Sequence, residues 1–265
     1  MYEFDIITPN SIDAAKSEFD AAEDGQFLAG GQTLIPVLKQ RLAMPSDLID
    51  LEHVHGLSGI SASGDTISIK AMTRHTEVAA DQEVQAAIPA LAKLANGIGD
   101  MHVRNRGTIG GSIANNDPAA DYPAAVLALH ATIVTDRREI LADHFFTGMF
   151  ETALEEGELI TEIHFPIPEA ASYIKFANPA TRYALVGVMV AKSHNNVRVA
   201  ITGAGPCVFR DAEMEQALMG NFSPESIKDG MIPADDLNTD IHASREYRAH
   251  LISVMVRRAV AEAVG

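Results

Sequence analysis

One cysteine, no tryptophan, an aromatic content of 6% and 20 basic residues against 36 acidic ones set this chain apart by what it lacks. Cys207 alone cannot form an internal disulfide, and one thiol cannot hold an iron–sulfur cluster or a cysteine-type zinc site. If the protein moves electrons, they must pass through another kind of cofactor. The scarce aromatics offer no platform on which bases could stack. A formal net charge of −16 repels phosphate-rich polymers and anionic membrane surfaces, so nucleic acid is not an expected partner. No apolar run approaches the roughly 20 residues needed to span a bilayer. The acidic start, Met1-Tyr2-Glu3-Phe4-Asp5, lacks the basic residues and apolar block of a secretory leader. The expectation is a cytoplasmic protein with no transmembrane segment.

What is present is ample core material: 265 residues, 47% of them hydrophobic, enough for one large domain or two modest ones. Ser11 is placed to cap a helix whose Ile12, Ala15, Phe19 and Ala22 share one face. Phe27-Leu28-Ala29 reads as a short buried strand that runs into Gly30-Gly31. Thr33 is placed to cap the next helix, with Leu34, Leu38 and Leu42 on one face and Pro36 in the first turn. Leu48 to Leu51 reads as a strand, and Gly64-Asp65 turns a hairpin into the alternating Ile67, Ile69 and Ala71. Helical spacing over Val84, Ile88, Leu91 and Ala95 breaks near Pro89. A short helix from Pro123, a strand over 131–135 and another over 159–165 follow, closed by Pro166 and Pro168. Beyond them lie an antiparallel pair around His194-Asn195-Asn196 and helices over 213–219 and 244–264. In the last, Leu251, Ile252, Met255, Val256, Ala259 and Ala263 form one stripe, with Arg248 off it.

Two glycine pairs carry the chemistry. Glycine permits positive φ and removes the side chain that would keep an anion from backbone N–H groups, so either pair can cradle a phosphate. The first, Gly30-Gly31, lacks the lysine of a Walker A loop and the third glycine of the dinucleotide fingerprint; by itself it reads equally well as a tight turn. The second is richer. Val103-Arg104-Asn105-Arg106-Gly107-Thr108-Ile109-Gly110-Gly111-Ser112 brings two arginines and hydroxyl donors suited to a diphosphate, and Asp121 follows as a carboxylate suited to a ribose diol or an adenine amine. Read blandly, it is a solvated loop with Asp121 capping a helix. His53-x-His55 has no neighbouring ligand cluster and reads as a loop pair rather than a metal site. No G-x-S-x-G elbow is present, and Tyr183 stands where it could lean over a flat ligand or simply end a strand.

Ala29-Gly30-Gly31-Gln32-Thr33-Leu34-Ile35-Pro36, with Arg41-Leu42 and Leu48-Ile49-Asp50-Leu51 after it, resembles the first FAD-binding signature of the molybdenum hydroxylase flavoprotein (medium) subunits, of carbon monoxide dehydrogenase and xanthine dehydrogenase type. Val103 to Ser112 and Asp117-Pro118-Ala119-Ala120-Asp121 resemble the second signature and are the more diagnostic. Lys175-Phe176, Tyr183-Ala184, Val186-Gly187-Val188, Ile232 to Asp236 and His242-Ala243-Ser244 with Tyr247-Arg248 resemble the family's C-terminal domain, so the resemblance covers essentially the whole chain.

The resemblance implies an α+β fold: a vanillyl-alcohol-oxidase-type FAD-binding domain of two subdomains over residues 1–170, then a smaller α/β domain over 171–265. It implies non-covalent FAD held at Ala29, Gly30, Gly31, Gln32, Thr33 and Leu34 and at Thr108, Ile109, Gly110, Gly111 and Ser112. Backbone N–H groups of both glycine pairs would meet the pyrophosphate, Asp121 the nucleotide half, and Tyr183 the isoalloxazine ring. No catalytic or metal-ligating residue is assigned. The implied partners are a large subunit carrying the molybdenum cofactor and a small subunit carrying two [2Fe-2S] clusters, in a dimer of heterotrimers. The chain would relay electrons from the clusters to an external acceptor. Two rival readings stay open: a stand-alone flavin oxidase of the same fold, and a non-redox nucleotide-binding scaffold.

Overall fold

The computed structural model describes residues 1–194 and 196–265; Asn195, expected in a hairpin turn, lies outside them. The chain begins with β1 (Asp5–Ile7), α1 (Ile12–Ala21), β2 (Gly25–Leu28), α2 (Leu34–Lys39) and β3 (Asp47–Asp50). The strands form a parallel sheet in the order β1-β3-β2. Ser11 caps α1, its hydroxyl accepting from the Ala14 N–H at 3.2 Å, and α1 buries Ala15 against Ile49, Leu51 and Leu57. Helix α2 is shorter than its apolar spacing predicts. Arg41 takes a left-handed φ of 60° just beyond it, which turns Leu42 out to solvent, while Leu38 stays in the core. Thr33 occupies the N-cap position without making a side-chain cap bond.

A second unit follows: β4 (Ile60–Ser63), β5 (Thr66–Lys70), α3 (His75–Ala80), α4 (Gln82–Ala87), α5 (Pro89–Asn96), α6 (Met101–Arg104), α7 (Ile109–Asn115), α8 (Tyr122–Ala128), β6 (Thr132–Thr135), β7 (Glu139–Leu141), β8 (Phe146–Gly148), β9 (Glu151–Thr152) and β10 (Ile160–Pro166). Its main sheet is antiparallel, in the order β4-β5-β10-β6-β7. Ile67, Ile69, Ile133, Ile163 and Phe165 pack from it against Leu91, Ile109 and Ile113 of the helices. The break at Pro89 falls where the sequence places it. The glycine-rich stretch expected as a loop instead forms α6 and α7. Asp100 accepts from Val103 N–H (3.0 Å) and Thr108 from Gly111 N–H (3.2 Å), and these caps start helices too short to leave a periodic signature.

The remainder comprises β11 (Ala170–Ala177), β12 (Ala184–Ser193), β13 (Asn196–Thr202), β14 (Phe209–Arg210), α9 (Ala212–Gly220) and α10 (Arg245–Val264). Its sheet runs β11-β12-β13-β14, antiparallel throughout. Alternation along β12 divides two cores. Val186, Val188 and Val190 face Leu251, Ile252, Met255 and Val256 of α10, while Met189 and Ala191 join the core of the second unit. Arg248, expected off the apolar stripe, is buried; its Nη1 donates to Leu185 O (2.7 Å) and Gly203 O (2.9 Å). Among the described residues no helix is long and apolar enough to cross a membrane.

Candidate functional site

The two glycine stretches meet. A Cβ on Gly30 would fall 2.1 Å from Arg106 O and 2.8 Å from Gly107 Cα, so only glycine allows the first loop to lie against the second. Around this junction opens a cleft of about 530 Å³, within the range that holds small molecules and cofactors. Of the residues at which bound FAD was expected, all but Ile109 line it; Ile109 is fully buried in the core with its N–H bonded to Thr73 O (3.1 Å).

The loops play unequal parts. From Gly30 through Leu34 the backbone N–H groups reach no acceptor among the described residues. Gly31 makes the run possible with a φ of +71°, a left-handed turn that L side chains rarely adopt. Successive open N–H groups of this kind form an anion-binding concavity. In the second stretch only Thr108 N–H has no acceptor among the described residues; at the glycine pair and after it the donors are already used, with Gly110 N–H going to Ala71 O (2.8 Å), Gly111 N–H to the Thr108 hydroxyl, and Ser112 N–H to Thr108 O (3.0 Å). Both pairs were expected to offer backbone N–H groups, and the second does not. Its contribution is shape and hydroxyls. The Ser112 hydroxyl has no partner among the described residues.

The two arginines expected beside a diphosphate are also committed elsewhere. Arg104 Nη1 donates to Ile98 O (3.0 Å) and Gly99 O (3.1 Å), and Arg106 pairs with Glu52 at 3.4 Å. Neither lines the cleft; Arg182 does. Arg182 sits at φ 64° in a loop that Asn178 clips together, its Oδ1 accepting from Ala180 and Thr181 N–H. Arg182 Nη1 reaches across to Gly99 O (3.3 Å), and Tyr183 beside it is half exposed at the cleft wall.

Asp121 is 5% exposed and does not cap α8. Its Oδ1 accepts from the Tyr173 hydroxyl and pairs with Lys175 Nζ at 2.9 Å, both from β11. Burial pushes the Asp121 carboxyl up; Lys175 and Tyr173 oppose the rise without cancelling it. Burial also raises the Tyr183 phenol, and the charges of Asp117 and Asp121 add to the effect. Asp121 and Tyr183, expected at the nucleotide half and the ring respectively, both line the cleft. The other arm runs between Phe19, Phe27, Leu51, Met72 and Leu159, where the two phenyl rings stack 4.7 Å apart.

Sequence reasoning missed this apolar arm, Arg182 and His75. The arm is assembled across two units, Arg182 depends on a loop conformation, and His75 opens a helix with no motif of its own. His75 is 4% exposed, with burial first and Arg104 second lowering its imidazole to about 4.

Comparison with known proteins places these features in context. Residues 2–168 match the FAD binding domain in molybdopterin dehydrogenase, and residues 171–263 match the CO dehydrogenase flavoprotein C-terminal domain. The chain is 36% identical to the nicotine 6-hydroxylase medium subunit of Paenarthrobacter nicotinovorans, over 97% of this chain and 95% of that one. It is 35% identical to the carbon monoxide dehydrogenase medium chain of Hydrogenophaga pseudoflava, over 97% and 96%. The solved carbon monoxide dehydrogenase from Hydrogenophaga pseudoflava lacking the Mo-pyranopterin moiety superposes with a TM-score of 0.90 at 34% identity, covering 99% of this chain and 97% of that one.

Proposed function

The chain belongs to the FAD-binding flavoprotein family of the molybdopterin dehydrogenases, and from this we propose that it is the electron-relay subunit of a three-subunit complex. It takes electrons from a [2Fe-2S] subunit, which is served in turn by a large molybdenum subunit, and delivers them to an external acceptor. The names of its relatives support this division of labour, since both are medium components of larger enzymes. A dimer of such heterotrimers is the proposed assembly. Among the described residues no cluster of His, Cys, Asp or Glu could hold a metal ion.

The observation that carries the reading is the run of open N–H groups from Gly30 through Leu34 at the cleft. Such a run fits a diphosphate, and the cleft has the size and apolar arm that a dinucleotide needs. Gly30, Gly31, Gln32, Thr33 and Leu34 would hold the diphosphate through the backbone, with the Thr108 and Ser112 hydroxyls facing them. Ala29 and Gly111 give the wall room, Asp121 would contact the nucleotide half, and Tyr183 would sit near the isoalloxazine ring. FAD bound there supplies a carrier able to exchange electrons singly or in pairs. The chain's own work is to hold that carrier and exclude water from it.

The purified chain should take up FAD with development of flavin absorbance. Within the assembled complex, substrate should reduce the iron–sulfur clusters first and the flavin through them. Reduction of the flavin by a simple organic compound without partner subunits would overturn the relay in favour of a stand-alone oxidase. A folded chain that takes up no FAD would leave only the scaffold reading.

A further inference from the structure

His75 opens α3 at the cleft wall, and its two ring nitrogens stand in different surroundings. Nδ1 is fully enclosed and meets no hydrogen-bonding partner among the described residues. Nε2 also lacks a partner there, yet it is not enclosed; it lies beside Gly107, where a Cβ would come within 2.6 Å of it. A neutral imidazole carries one N–H and one lone pair. An orphaned buried N–H is the rarer arrangement in proteins and an under-satisfied acceptor the commoner. The proton therefore belongs on Nε2, where the cleft can supply an acceptor, and the bare lone pair on Nδ1. The ring plane is held by Tyr122, whose centroid lies 5.3 Å away. The backbone is held by His75 N–H donating to Gly107 O at 3.0 Å. Gly107 in turn touches Gly30, where the open N–H run begins. Only a glycine separates this side-chain donor from that run.

We propose that His75 is a cofactor-binding residue that donates Nε2–H to a diphosphate oxygen of the bound dinucleotide. The proposal rests on the FAD reading above. It explains why a buried histidine with no protein partner is kept at the cleft wall, and why Gly107 carries no side chain against it. An uncharged donor also meets the anion without placing a second desolvated charge in the wall.

Two variants of similar polarity separate binding from packing. His75→Gln carries an amide nitrogen that reaches the Nε2 position, whereas His75→Asn reaches only as far as the enclosed Nδ1. Each is titrated with FAD, with ADP, which shares the diphosphate, and with riboflavin, which lacks it; apo-protein melting is recorded for each. His75→Asn should weaken FAD and ADP by roughly tenfold and leave riboflavin unchanged. His75→Gln should stay within about threefold of wild type for all three, since one donor is replaced by another. Unchanged FAD uptake by His75→Asn overturns the proposal, as does a loss confined to riboflavin. So does an equal loss in both variants that tracks a lower melting midpoint, which would mark the histidine as packing alone. A wild-type chain that takes up no FAD removes the parent reading, an outcome distinct from these.

Discussion

An alanine at Gly30 puts its Cβ against backbone, 2.1 Å from the carbonyl oxygen of Arg106, and backbone on both sides cannot yield cheaply. At Gly111 the same methyl meets Thr108 Oγ1 at 3.0 Å and the Ala29 Cβ at 3.4 Å, contacts that small adjustments relieve. Gly111 also lies in the first turn of α7, where alanine is the better helix former by about 1 kcal/mol. Gly30→Ala should therefore cost roughly 3 kcal/mol or more of stability and lose flavin with it. Gly111→Ala should change stability by less than about 1 kcal/mol while weakening FAD, because its methyl occupies the cleft. Chemical denaturation and flavin titration of the two proteins check the contrast. Glu158 offers a pH-dependent counterpart. Its side chain is wholly enclosed and accepts from Arg138, the Thr135 hydroxyl and the Glu155 N–H, all within 2.9 Å. The Arg138 bonds above all hold the carboxyl down at about 2, against an ordinary 4.5. That depression stabilises the fold by about 3 kcal/mol at neutral pH. The contribution is complete above pH 4.5 and fades as pH falls toward 2. Denaturation of Glu158→Gln against wild type should show the full gap at pH 7 and almost none near pH 2.

Helix α10 shows why a pattern of apolar spacing is not enough to place a charged side chain. The stripe over Leu251, Ile252, Met255, Val256 and Ala259 is legible in the sequence and forms the core of the C-terminal sheet. Arg248 reads as its polar flank because the carbonyls it serves, Leu185 O and Gly203 O, lie far away in the chain. Replacing Arg248 with methionine leaves both oxygens without this donor, and the expected cost is about 3 kcal/mol. Arg248→Lys should recover little, since one ammonium cannot reproduce the guanidinium's forked reach to those oxygens and to Asp240. Thermal melts of the two variants test this, and equal stability with wild type would show that the carbonyls find other donors. The cleft was legible to the same degree and for the same reason. Gly30 and Gly31 announce a turn that exposes backbone, and the second stretch announces a neighbour for it. Neither says that Ala71 O and Thr73 O from the end of the β5 segment will take the N–H groups of Gly110 and Ile109. Short helices such as α6 and α7 are set by their capping side chains and by tertiary packing, so no periodic signal betrays them.

The parts of the molecule are joined where the second motif ends. Gly203 N–H donates to Pro118 O at 2.7 Å, the Thr202 hydroxyl reaches Pro118 O and Ala120 O, and Asp121 is gripped by Tyr173 and Lys175. A cleft whose Arg182 and Tyr183 come from one side and whose Gly30 to Leu34 come from the other keeps its width only while this junction holds. Lys175 is the partner whose loss is felt most, because its removal strands a buried carboxylate. Lys175→Met should cost roughly 3–5 kcal/mol. Asp121→Leu combined with Lys175→Met removes the charge along with its partner and should recover most of that loss, since a buried pair exchanged as a whole for apolar groups is often nearly neutral. The double variant then separates two roles of Asp121 in one measurement. If the carboxylate only fastens the C-terminal sheet, a restored fold restores flavin content. If it also contacts the cofactor, the double variant regains its melting transition yet binds FAD more weakly than wild type. The second outcome is expected, because Asp121 lines the cleft and its charge already reaches the phenol of Tyr183.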